Sequence, residues 1–127
     1  MTIIFFAILA LAVIFPLLSP GFILTLDAMA VPGDADAVQK ITLFLIFFLA
    51  SYGMFRLCKN YFAGILYAVN PFVYERVMAG HWDFLIGYAI FPIIVLTMKN
   101  LLENPKLITT IVLAGLSTAA VSFAPHW

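Results

Sequence analysis

The sequence predicts an all-α protein, a polytopic transmembrane bundle of about five spans with one short helix lying in the outer membrane interface. Three observations carry that expectation. Hydrophobic residues fill 65% of the 127 positions and charged residues only 9%, at a mean hydropathy of +1.15, too little polar surface for a water-soluble globule. The apolar residues gather into runs of near-bilayer length separated by short polar turns. Finally, residues 66–87 crowd Glu75, Arg76, His81 and Asp83 between two apolar runs.

Residues 1–18 are almost unbroken hydrocarbon, with Pro16 near the end, where a kink is tolerable. Ala28-Met-Ala30 has the small-x-small form of a signal-peptide cleavage site, but no Lys or Arg precedes the apolar run, so a retained membrane helix is expected. Residues 19–40 read as the first loop, broken by Pro32 and Gly33 and made acidic by Asp27, Asp34 and Asp36. A second helix follows over 41–57, closed by the polar turn of Arg56, Lys59 and Asn60.

So short a turn forces an antiparallel return, and the third span begins at Tyr61. It stays apolar only to Val69, short of a full crossing, so it either continues past Pro71 or sits where the bilayer is thinned. Asn70 suits a helix N-cap, Pro71 the first helical position and Gly80 the far end, which frames a short helix. On that helix Val73 and Val77 share a side while Glu75 and Arg76 project elsewhere, the layout of an interfacial helix. The fourth span covers 84–98, headed by Trp82 and kinked at Pro92. The fifth covers 107–123, where Ala114, Gly115, Thr118 and Ala119 would permit close helix contact. The whole of 1–127 is read as a single transmembrane domain.

Orientation follows from the basic residues. Five spans put Arg56, Lys59, Lys99 and Lys106 on one side and Lys40 and Arg76 on the other, which places the amino terminus in the cytoplasm and the carboxyl terminus outside a cell membrane. Asp27, Asp34, Asp36, Glu75, His81 and Asp83 then share the outer face. Zero formal net charge with no basic tract removes the electrostatic basis for binding nucleic acid. The single Cys58 excludes an internal disulfide and reads as a small apolar residue near a helix end.

Among the acids, Asp27 stands in apolar surroundings, where desolvation favours a raised pKa, a cationic partner or a functional reason unless the segment lies wholly in water; Arg76 is the candidate partner or a ligand for lipid phosphate, and equally reads as a snorkelling interfacial arginine. Asp34-Ala-Asp36 has the form of a short oxygen-ligand pair for a divalent cation, and equally of a solvated turn. His81 and Asp83 could serve as base or ligand, or simply begin a helix. No nucleophile–base pair, glycine-rich phosphate loop or zinc-protease pattern occurs.

Tyr67-Ala-Val-Asn-Pro-Phe-Val-Tyr-Glu-Arg-Val-Met-Ala-Gly-His-Trp82, followed by Gly87-Tyr88 and Pro92, resembles a polytopic membrane family of archaea and bacteria. That family is described as pyruvoyl-tetrahydropterin-synthase-related membrane proteins, similar to the GT-C glycosyltransferase superfamily. Gly21-Phe-Ile-Leu-Thr-Leu-Asp27 resembles the family's start, and Ser122-Phe-Ala-Pro-His126 the end of its fifth span. The resemblance implies sugar transfer from a polyprenyl-phosphate donor on the outer face. By position it implies Asp27 as the catalytic acid, Asp34 and Asp36 as weaker candidates for a divalent cation, and Arg76, with Glu75 and His81, as substrate ligands. Family members are several times longer, so the expectation is an amino-terminal part, whether a truncated gene product, a fragment or a split subunit, inactive alone and with a complementary membrane subunit as a candidate partner. The alternative is a small non-enzymatic membrane protein, a transporter subunit or an assembly partner.

Overall fold

The computed structural model describes residues 1–18, 35–103, 105 and 107–122, and no strand occurs among them. They form six helices: α1 Thr2–Ile14, prolonged by a 3-10 turn at Phe15–Leu18, α2 Ala35–Cys58, α3 Tyr61–Ala68, α4 Pro71–Ala79, α5 Trp82–Glu103 and α6 Leu107–Ser122. Two stretches, Ala37–Cys58 and Trp82–Glu103, are long and apolar enough to cross a membrane; α1 and α6 are shorter apolar helices. At eight residues, α3 rises only about 12 Å.

Close contacts fix the direction of each helix. Gly64 of α3 lies against the Ser51 carbonyl of α2, and Ala68 shares a cavity wall with Phe47. A step forward along α3 is thus a step back along α2. Gly53 of α2 meets Pro92 of α5, whereas Tyr88, one turn earlier, stacks on Tyr67 of α3, so α5 runs parallel to α2. Phe6 of α1 packs on Tyr52 and Phe55, while Val13 reaches the Phe47 level, which sets α1 antiparallel to α2. Gly87 lies near the Ala120 carbonyl, and α6 therefore returns antiparallel to α5. The Arg56–Lys59 turn and Lys99 consequently share one end of the bundle, and α4 lies at the other.

The core forms where α2 is surrounded. Leu43, Ile46, Phe47 and Ala50 of α2, Ala10 and Ile14 of α1, Ala68 of α3, Val73 and Val77 of α4, and Leu85 and Ala89 of α5 make one buried cluster. Ser51 is polar yet fully buried; its hydroxyl donates to the Phe47 and Phe48 carbonyls at 2.7 and 3.1 Å, so no donor is stranded. Pro92 is also buried; α5 continues through it, and its ring lies against Gly53 of α2.

Two boundaries differ from expectation. The loop expected over 19–40 gives way to α2 at Ala35, six residues before the apolar run, so Asp36 and Lys40 belong to a helix. The third segment does not continue as one helix past Pro71: α3 ends at Ala68 and α4 begins at Pro71.

Candidate functional site

The α3–α4 junction is built by Asn70. Its Oδ1 accepts from the Val73 N–H at 3.0 Å, capping α4. Its amide nitrogen lies 2.8 Å from the Tyr67 carbonyl and 3.1 Å from the Tyr88 hydroxyl. The two tyrosines lock each other. Tyr67 Oη donates to the Tyr88 carbonyl at 3.0 Å, and Tyr88 Oη donates to the Tyr67 carbonyl at 2.9 Å. Their rings stack at 4.2 Å and 5°.

At the other end of α4, Gly80 adopts the left-handed conformation, φ 84°, which lacks a steric cost only for glycine. The Gly80 N–H donates to the Val77 carbonyl and the His81 N–H to the Arg76 carbonyl, the pair of bonds that defines a Schellman motif. In that motif the side chains at the two ends of the longer bond meet, commonly as an apolar contact. Here they are Arg76 and His81, with Arg76 Nη1 3.0 Å from His81 Nδ1. Because a guanidinium only donates, His81 presents a lone pair at Nδ1, which assigns its remaining ring proton to Nε2.

Two phenyl faces complete the seat. The Arg76 guanidinium lies over Phe72, one turn earlier on α4, at 5.4 Å and over Phe84 of α5 at 5.6 Å. Those rings meet edge to face at 5.8 Å. Arg76 Nε is buried with no partner, and no carboxylate is among the arginine's contacts in the described residues. A buried donor without an acceptor costs on the order of 1–3 kcal/mol, so this cation is half-held by π faces and under-supplied with anion.

The structure brings Arg76 and His81 together, and Arg76 folds back onto α5 instead of projecting away from the helix. Glu75 is exposed and does not join them. Asp83 is exposed and its carboxylate accepts from the neighbouring Phe84 N–H at 2.8 Å, so it serves as a helix start. Asp27 and Asp34 lie outside the described residues; Asp36 is placed only as a backbone position in α2. Among the described residues no group of three or more His, Cys, Asp and Glu side chains converges as a metal site.

No family model, curated protein or solved structure matches this chain. Phe72, Phe84, Tyr67 and Tyr88 are the site residues that sequence reasoning missed. The spacing of Phe72 and Arg76, four apart on a helix bounded by Asn70 and Gly80, was a usable signal for the first of them. The tyrosine pair, 21 residues apart, had none.

Proposed function

We propose that this chain is an integral membrane protein whose Arg76–His81 seat receives the phosphate of a lipid-linked donor, as the amino-terminal part of a GT-C-like glycosyltransferase. Arg76 is the observation that carries the reading: a half-buried guanidinium braced by Phe72, Phe84 and His81, with an unpaired Nε. Such a preformed cation favours a phosphate through charge-assisted hydrogen bonds and loses little side-chain freedom on binding. The proposed topology has five passes, with α3 and α4 together making the third, the amino terminus cytoplasmic and the carboxyl terminus outside. The gathering of Arg56, Lys59 and Lys99 at the end opposite Arg76 supports that orientation. Asp27 is the proposed catalytic acid, Asp34 and Asp36 candidates to hold a divalent cation, and Glu75 a further contact to the sugar donor.

Transfer is proposed to require a complementary membrane subunit or further spans. Asp27→Asn in the complete assembly is expected to abolish transfer from a polyprenyl-phosphate sugar, and Arg76→Gln to raise KM for that donor with a smaller effect on kcat. Full transfer by both variants would refute the reading. A second reading, a non-enzymatic assembly partner, draws support from α6, which buries no residue and leaves Ala114, Gly115 and Thr118 exposed. It predicts that substitutions there, not at Asp27, abolish complex formation.

A further inference from the structure

A cavity of about 530 Å³ opens between α4, α5 and α6, beside the arginine seat, lined by Phe72, Phe84, Gly87, Phe91, Ala120 and Val121 together with the tyrosine pair. Its walls present carbon. The two tyrosine hydroxyls are both committed, each to the other residue's carbonyl. Phe72 and Phe84 belong to both features: they line the cavity and carry the Arg76 guanidinium over their rings. One amphiphile could therefore contact the charge and the apolar wall at once. We infer that the α4–α5–α6 groove and Arg76 together form a seat for one bilayer phospholipid, an acyl chain in the groove and the phosphate on the guanidinium.

Charge and volume select that occupant. Arg76 supplies an under-paired cation, while the neighbouring acids, Glu75 and Asp83, are exposed to the surroundings and Asp83 is turned onto its own helix start. An anionic head without its own cation suits this arrangement, which points to phosphatidylglycerol. A groove of about 530 Å³ walled by carbon is on the scale of a single acyl chain. A long polyprenyl chain needs several times that space. The inference rests on reading Arg76 as a phosphate ligand, and it adds that a bilayer lipid holds the seat when donor is absent.

The test is native mass spectrometry of the full chain released from nanodiscs containing phosphatidylglycerol and phosphatidylcholine, with and without added undecaprenyl phosphate. Stoichiometric phosphatidylglycerol on the parent chain is expected. Arg76→Gln should cut its retention about tenfold or more, the scale of one charge-assisted hydrogen bond. Val121→Trp, which fills the groove from an exposed α6 position, should do the same, whereas Ile111→Trp, equally exposed and more than two turns away on α6, should not. Undecaprenyl phosphate, competing for Arg76 through its phosphate and not by fitting its chain in the groove, should displace the phospholipid. Retention unaffected by both Arg76→Gln and Val121→Trp would mean ordinary annular lipid and overturn the inference. Loss in Arg76→Gln alone would overturn the groove assignment while leaving Arg76 as a phosphate ligand. No phosphatidylglycerol on the parent chain before undecaprenyl phosphate is added, with undecaprenyl phosphate binding once it is, would overturn the phospholipid and leave the proposed function standing.

Discussion

Gly64→Ala tests the closest approach in the bundle. A Cβ at that position would lie 2.6 Å from the Ser51 carbonyl oxygen and 2.8 and 2.9 Å from two atoms of the Phe6 ring. The ring can move, but the carbonyl belongs to the middle of α2 and cannot rotate away, so the overpacking cost belongs near the top of the usual range, about 3 kcal/mol. Replacing a helical glycine by alanine returns up to about 1 kcal/mol of propensity, leaving a net loss of about 2 kcal/mol. Gly53→Ala meets Ile93 Cγ1 at 3.2 Å and Pro92 Cβ at 3.3 Å; the isoleucine can yield by a few tenths of an ångström, and the two effects should nearly cancel. Gly115→Ala meets nothing within 4 Å and should be neutral or stabilising. Unfolding midpoints from sodium dodecyl sulfate titration in mixed micelles should therefore rank Gly64→Ala well below Gly53→Ala, and Gly53→Ala below Gly115→Ala. Adding Phe6→Leu to Gly64→Ala should recover only part of the loss, because the carbonyl contact persists. A Gly64→Ala midpoint equal to that of Gly115→Ala would refute the α1–α2–α3 packing derived above.

Tyr67→Phe should cost about 1 kcal/mol by leaving the partly buried Tyr88 carbonyl unpaired, and Tyr88→Phe less, because Asn70 still donates to the Tyr67 carbonyl; the double variant should depart from additivity by about 0.5 kcal/mol or more, and strict additivity in the same titration would mean the tyrosines do not act as one unit. Gly80→Ala forces a side chain into the left-handed region at about 1–2 kcal/mol and should separate His81 from Arg76, seen as a changed His81 imidazole ¹⁵N pattern; an unchanged pattern would count against the Schellman geometry as the source of that contact. In a Cys58→Ser background, Glu75→Cys and Asn100→Cys should react with an impermeant maleimide from opposite faces of sealed vesicles, and labelling from the same face would exclude the proposed topology.

Short-range chemistry made much of the fold readable. Asn70, Pro71 and Gly80 bounded α4 because caps act within a few residues of themselves, and the Arg56–Lys59 turn announced the α2–α3 hairpin. Hydropathy misjudged the start of α2: Asp36, Gln39 and Lys40 look like loop to an apolar scale, yet straight-chain residues such as the last two suit a helix well. Arg76 and His81 were each legible as polar residues of one stretch but not as partners, since that required the two Gly80-dependent bonds to be seen together. The aromatic seat was harder still, because Phe84 and Tyr88 reach it only through the packing of α5 on α3 and α4, which no local pattern encodes. The exposure of Ala114 and Gly115 has the same origin: a small-residue spacing says that close contact is permitted, not which neighbour supplies it.

The reciprocal tyrosine lock also imposes an order of events on synthesis. Asn70 and Tyr67 cannot settle the α3–α4 junction by themselves, because the hydroxyl and carbonyl they need belong to Tyr88, 21 residues later. At a synthesis rate of roughly 5–20 residues per second, Tyr88 is added about one to four seconds after Tyr67. During that interval the third segment has its helical turns but lacks the pair that joins them to α5. The junction beside the arginine seat is thus completed by its own downstream chain, and it takes its final form only once α5 has arrived.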